Sequence, residues 1–367
     1  MNTDLQAIGW VAAALVTAMV VALITTPVVR ALAFRVGAVD VPKDSRRMHD
    51  HPIPRMGGLA IFFGFILSAI IYVEITPQFQ GMMLGAVIIV VLGIFDDIYA
   101  LGAKFKLLVQ IVAALVAVHF GNVIQIISNP NVLSPNPYWD LGWLAVPATV
   151  LWIVAITNAV NLIDGLDGLA CGVSTLSSMT MLVISLAVAD GPVAVIMAAL
   201  AGGCIGFLPY NLNPAKIFMG DTGSTFLGFV LAVMSIQGLF KFYTIISFAV
   251  PFLMLGLPIF DTCFAFIRRI AHGQSPMHPD RSHVHHRLID MGFNQKQAVA
   301  VLYIISAILG LCAVVLTTSG ELKAMLLLLA LCAAGAVSGR IFLSNNEKRR
   351  SEDKAESPDT ADKGEER

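Results

Sequence analysis

Apolar runs as long as a lipid bilayer is thick recur along almost the whole chain. A helix crosses the hydrocarbon core in about 20 residues. About eleven runs reach that length, near 6–29, 57–75, 80–95, 105–121, 142–161, 169–189, 192–210, 223–240, 243–267, 298–317 and 322–343. The stretch from Leu5 to Val29 lacks a basic leader and exceeds a signal-peptide core, so it reads as a retained first span. Residues 1–343 are therefore expected to form one integral membrane domain, an all-α polytopic membrane helix bundle. The tail 344–367, charged in both signs and without an apolar face, is expected to be disordered. Composition agrees: 57% of residues are hydrophobic and 13% charged, against about 25% charged in soluble chains. That excludes an ordinary soluble enzyme. A net charge of −1 supplies no field that would point to nucleic acid. The five cysteines stand singly in apolar runs and read as small buried hydrophobes.

Lysine and arginine set the orientation. With eleven spans, all of the 23 Lys and Arg residues except Lys241 and Lys323 fall on one side. The N-terminus is then outside and the C-terminus cytoplasmic. Pro251 and Pro258 are expected to bend the ninth span, which a helix bundle tolerates. The outer 122–141 segment is β-prone, then rich in Asn and Pro, and suits a small hairpin.

Polar residues that interrupt the apolar pattern gather on the cytoplasmic side. Asp96 and Asp97 end the third span. Asn158, Asn161, Asp164 and Asp167 lie in NAVNLIDGLDGLA, and Asn211, Asn213 and Asp221 in PYNLNPAKIFMGDTGS. Asp261 sits in the ninth span. Arg281, His283, His285, His286 and Arg287 follow it, and Arg46, Arg47, His49, His51 and Arg55 occupy the first inner loop. Carboxylates near hydrocarbon are costly and usually functional, so their convergence from five loops points to one site. Each piece also has a plain structural explanation. An Asp pair can mark a boundary, a buried Asn can join two helices, and Asp221 or Thr222 can cap a helix. Asp164-Gly165 and Asp167-Gly168 make tight turns in which glycine admits a ligand to the backbone. Asp221, between two glycines ahead of the eighth span, suits Mg²⁺, a hard ion that takes carboxylates and substrate phosphates. Phe218 at the water boundary suits stacking on a base, or anchoring at the interface. HVHH could hold zinc. The lack of nearby Cys and the many carboxylates favour Mg²⁺ at the centre, with the histidines binding diphosphate. This set suits phosphoryl transfer to a lipid acceptor, where the protein positions and neutralises phosphates.

PRMGG at 54–58, FDD at 95–97, NAVNLIDGLDGLA at 158–170, FMGDTGS at 218–224 and PDRSHVHH at 279–286 occur in that order. In these five motifs, over roughly residues 25–300, the chain resembles the polyprenyl-phosphate N-acetylhexosamine-1-phosphate transferases. The peptidoglycan enzymes of that superfamily usually carry three consecutive His and a GTPTMGG-like first loop. HVHH and RRMHDHPIPRMGG resemble instead the undecaprenyl-phosphate GlcNAc-1-phosphate branch.

The resemblance implies UDP-GlcNAc as donor and undecaprenyl phosphate as acceptor. It implies undecaprenyl-diphospho-GlcNAc and UMP as products, with Mg²⁺ required and Mn²⁺ as the alternative ion. The reaction would start a cell-envelope polysaccharide such as teichoic acid or the O-antigen of lipopolysaccharide. It would run in the bacterial cytoplasmic membrane, facing the cytoplasm, in a protein compatible with a homodimer. By resemblance Asp221 is the metal ligand and Asp96 the base for the lipid phosphate, with Asp97 beside it. Asp164 and Asp167 lie near the nucleotide and diphosphate, Asn211 and Phe218 at the uracil, and Asn158 and Asn161 at the substrate. Arg281, His283, His285 and His286 belong to the sugar-phosphate region. The first-loop lysine of the peptidoglycan branch has no counterpart, because Asp50 stands there. Arg46, Arg47 and His49 are the substrate-binding candidates in its place. Direct attack by the lipid phosphate is favoured over a covalent sugar-phosphate enzyme, since a phosphate monoester is already ionised at neutral pH. A transporter and an inactive scaffold are the rival classes. The first expects acids at the midplane, not at one face, and the second expects the carboxylates to be lost.

Overall fold

Helices stand where the apolar runs stand. The computed structural model describes residues 2–41, 51–128, 136, 138–238, 246–271, 273, 283–319, 323 and 327. The expected eleventh span apart from residues 323 and 327, the tail, Arg46, Arg47, His49 and Arg281 lie outside those residues. The helices are α1 (Asn2–Val36), α2 (Gly58–Tyr72), α3 (Pro77–Tyr99), α4 (Ala103–His119), α5 (Ala145–Leu162) and α6 (Leu169–Ala187). They continue with α7 (Gly191–Asn211), α8 (Gly220–Gly238), α9 (Ile246–Met254), α10 (Gly256–Ala271), α11 (Val284–Asp290) and α12 (Gln295–Ser319). Among the described residues, six are long and apolar enough to cross a membrane: α1, α3, α5 with the turn before it, α6, α7 and α12. The protein is an all-α, multi-pass membrane protein. A 3-10 turn (Gly142–Leu144) and two short antiparallel pairs complete the described secondary structure: β1 (Val39–Asp40) with β2 (Ile53–Pro54), and β3 (Ile126–Ser128) with β4 (Tyr138–Asp140). The second pair is the small hairpin expected in the outer segment.

α8 is the axis of the bundle. Every residue from Thr222 to Ile236 is buried, as expected for a helix that is apolar all round. It packs among α2, α3, α5, α6 and α7. Phe226 of α8 meets Phe62 and Phe65 of α2 edge-on, with ring centroids 5.4 and 5.5 Å apart. On the α3 side the backbones nearly touch, since a Cβ on Gly93 would lie 2.4 Å from Thr222 Cα. Small residues allow such close crossings in a membrane. This crossing carries Asp97, one turn further along α3, to the first turn of α8.

The ninth apolar run, expected as one bent span over 243–267, is two helices broken at Leu255. Pro258 has no N–H to give to the carbonyl of Met254, four residues back. Ser177 Oγ of α6 donates to that carbonyl at 2.9 Å. The same device serves α1, where Pro27 frees the carbonyl of Leu23 and Tyr210 Oη donates to it at 3.3 Å. α1 also outruns its expected end at residue 29 and reaches Val36. Apolar length sets where a helix leaves the membrane, not where it stops being helical.

Candidate active site

At the end of the bundle where α5 and α7 stop and α6, α8 and α12 start, a cavity of about 570 Å³ opens. The turn after α5 supplies Asp164 and Asp167, and the last turn of α5 supplies Asn161. The α7–α8 connection supplies Asn211, Phe218 and Asp221, and α11 supplies His286. Asp40 and Arg55 arrive from the α1–α2 connection, placed by the β1–β2 pair and by the Arg55 amide donating to the Ala38 carbonyl at 2.8 Å. The PRMGG and FMGD segments bond to each other through backbone alone. Phe218 N donates to the Pro54 carbonyl, Gly57 N to that of Phe218 and Gly58 N to that of Met219, each at 2.9 Å.

Asp97 holds the start of α8. Its Oδ1 accepts from Asp221 N at 3.0 Å, and its Oδ2 accepts from Thr222 N at 3.1 Å and Thr222 Oγ1 at 2.6 Å. A carboxylate from α3 thus caps the positive end of α8, in place of Asp221 or Thr222 capping it locally. Gly220 makes room, with φ +72° and a notional Cβ only 2.4 Å from Asp97 Oδ2. Asp221 is left to point elsewhere. Its Oδ2 accepts from Lys106 Nζ at 2.9 Å, and the same ammonium donates to Asp96 Oδ2 at 2.9 Å. Asp96 Oδ1 accepts from Leu101 N at 2.7 Å.

Deeper in the cavity, Asp164 is half-buried among acids. Burial, then the charges of Asp221 and Asp97, push its pKa up to about 8, with Arg55 opposing them. Asp167 is tied down instead, because its Oδ2 accepts from Asn213 Nδ2 at 2.9 Å and Ala215 N at 3.0 Å. Asn213 donates as well to Gln295 Oε1 at 2.7 Å, linking the α7–α8 connection to the start of α12. Asn211 gives its Nδ2 to the Ile217 carbonyl at 3.0 Å, while its buried Oδ1 has no hydrogen-bond partner. A buried acceptor left in this state at a cavity wall is what a ligand N–H would satisfy.

Glycosyl transferase family 4 matches residues 79–239, the stretch that carries FDD, NAVNLIDGLDGLA and FMGDTGS. A Bacillus subtilis protein named a probable undecaprenyl-phosphate N-acetylglucosaminyl 1-phosphate transferase is 45% identical over 311 residues, 83% of this chain and 85% of its own length. The chain belongs to glycosyl transferase family 4. Its likeness extends to a decaprenyl-phosphate N-acetylglucosaminephosphotransferase of Mycolicibacterium smegmatis, 33% identical over 78% of this chain and 77% of that one. A phospho-N-acetylmuramoyl-pentapeptide-transferase of Caldicellulosiruptor bescii is 38% identical, but over 49% of this chain and 60% of its own. Within family 4 the chain therefore sides with the N-acetylglucosaminyl 1-phosphate branch.

In this family 4 transferase, the site residues expected from the sequence take three kinds of place. Asn161, Asp164, Asp167, Asn211, Phe218, Asp221 and His286 line the cavity. Asp96, Asp97, His283 and His285 are buried behind its wall. Asn158, by contrast, joins two helices, its Nδ2 donating to Gln110 Oε1 of α4 at 2.6 Å. Sequence reasoning passed over Lys106, Asp40, Asp290 and Gln295, all of them cavity residues except Lys106, which bridges Asp96 and Asp221. A lysine in the first turn of an apolar run was the available signal for Lys106, and snorkelling explained it equally well.

Proposed function

We propose that this enzyme transfers GlcNAc-1-phosphate from UDP-GlcNAc to undecaprenyl phosphate, releasing UMP. We place it in the bacterial cytoplasmic membrane with eleven spans, the N-terminus outside and the cavity facing the cytoplasm. The product would start a cell-envelope polysaccharide. The observation that carries this reading is the cavity, where five carboxylates, a guanidinium, an aromatic ring and an unsatisfied amide oxygen converge at the end of a membrane bundle. That inventory suits a nucleoside diphosphate and a phosphate-bearing lipid.

The donor set fits Mg²⁺. Among the described residues no three His, Cys, Asp or Glu side chains form a closed cage. Mg²⁺ is commonly held by one or two carboxylates plus substrate phosphates. Asp221 would hold it, and Asp164, whose carboxyl pKa is pushed up first by burial and then by the neighbouring acids, would join once deprotonated. When bound, the ion neutralises charge on the diphosphate during transfer. Arg55 and His286 orient the diphosphate. Phe218 stacks on uracil, and Asn211 Oδ1 accepts from its N–H. The lipid phosphate is already ionised at neutral pH, and its oxygen bonds to the β-phosphorus as the bond to UMP breaks. Asp96, its oxygens taken by Leu101 N and Lys106, holds Lys106 against Asp221.

UMP release by the purified chain in detergent, with undecaprenyl phosphate and Mg²⁺, tests the reading. Turnover with UDP-GlcNAc is expected, with loss of at least ~100-fold in Asp221→Ala. Turnover only with UDP-MurNAc-pentapeptide would move the chain to the peptidoglycan branch. No turnover with either donor would sink the reaction. A sugar-phosphate trapped on the protein by rapid quench without lipid would overturn direct attack.

A further inference from the structure

Asp261 is a buried carboxylate of α10, 4% exposed, and it does not line the cavity. Both its oxygens are engaged by the histidine motif. Oδ2 lies 2.8 Å from His283 Nδ1, and Oδ1 accepts from Val284 N, the first amide of α11, at 2.8 Å. His283 precedes α11 without capping it through its own side chain, so Asp261 does this from another helix. The His283 ring stacks on His285 with centroids 5.8 Å apart and planes 7° from parallel, and His285 meets His286 at 4.3 Å. The far side of His285 rests on the DGLDG turn, where a Cβ on Gly165 would lie 2.4 Å from Nε2. Burial, then the neighbouring His286, press the His285 pKa down to about 4. His285 is therefore an uncharged spacer at neutral pH. A second tie to α10 is the Arg287 guanidinium, 4.8 Å from the Phe264 ring centroid.

These contacts form one rigid path from α10 to the cavity wall, and His286 is the histidine of the three that reaches the wall. A carboxylate on imidazole Nδ1 fixes the tautomer and the ring orientation. Taking a carboxylate this far out of water is costly unless both oxygens are used. We propose that Asp261 is a positioning residue, which presents His286 to the donor diphosphate by locking His283 and the start of α11 onto α10. The proposal rests on the transferase reading.

Titration calorimetry of UDP-GlcNAc, without lipid acceptor, separates the two. Asp261→Asn and His283→Gln each break the same hydrogen bond from opposite ends, so one remains informative if the other misfolds. Each is expected to weaken donor binding on the order of 10-fold and to raise the donor KM more than it lowers kcat. His286→Ala is expected to do the same. The double variant Asp261→Asn/His286→Ala should bind no more weakly than His286→Ala alone, because one path is cut twice. The ring nitrogens of His283 should change tautomer in Asp261→Asn by ¹⁵N NMR. Losses that add in the double variant, or wild-type binding in both Asp261→Asn and His283→Gln, would overturn the proposal while leaving the transferase reading intact. Absence of UDP-GlcNAc binding in the wild type would sink both.

Discussion

Two adjacent aspartates, Asp96 and Asp97, do different work because neighbouring residues on a helix point about 100° apart. Asp97 spends three hydrogen bonds on the first turn of α8. Asp97→Asn is expected to cost about 2 kcal/mol, read as a lower unfolding temperature in detergent, with activity falling alongside. Asp221→Asn should abolish UMP release while leaving that temperature within about 2 °C of wild type. The reverse pattern would exchange their roles. Asp164 makes a pH prediction. Its folded pKa, about 8, lies above the ordinary 3.8, so the folded state holds a proton that the unfolded state has lost. Stability contributed this way is complete below the unfolded value and is lost as pH rises through about 8. His285 acts oppositely and only below 6.5, since its pKa is pressed down to about 4. With a chelator present, unfolding temperature should therefore fall between pH 6.5 and 8, and Asp164→Asn should flatten that fall.

At the scale of elements, prolines break helices and hydroxyls from neighbours complete the bonds. Ser177→Ala is expected to leave the Met254 carbonyl unsatisfied at about 1–2 kcal/mol. Pro258→Ala restores an N–H four residues beyond that carbonyl, so Ser177→Ala should cost less in that background. Equal costs in both backgrounds, measured by thermal unfolding, would show that Ser177 does not answer for the proline. The break also frees α10 to take its own direction, and α10 carries Asp261 to the histidine motif.

For the whole molecule, all the loops that build the cavity belong to one end of the bundle, the end at which the sequence expects nearly all the Lys and Arg. A green fluorescent protein fused after Arg367 should fluoresce, because it folds in the cytoplasm. Alkaline phosphatase inserted after Asp140, beside the β3–β4 hairpin, should be active, because it needs the outside. The opposite pair of results would invert the proposed orientation.

Apolar length and motif order were enough to read the bundle, most helix positions and seven of the cavity residues, because burial in lipid and the chemistry of phosphate both leave compositional marks. The acids at the cavity end stood out for the same reason, as charges where charge is expensive. Tertiary structure alone decided which acid faces the cavity and which holds a helix. Asp96, Asp97 and Asp221 look alike in a sequence, and Lys106 looks like a snorkelling lysine. Their roles depend on the close crossing of α3 and α8 and on a lysine ten residues past Asp96 reaching two carboxylates at once. Asn158 shows the converse: three residues from Asn161 within one motif, it is turned by the helix toward Gln110. Such assignments come from contacts between residues far apart in the chain, and local pattern does not carry them.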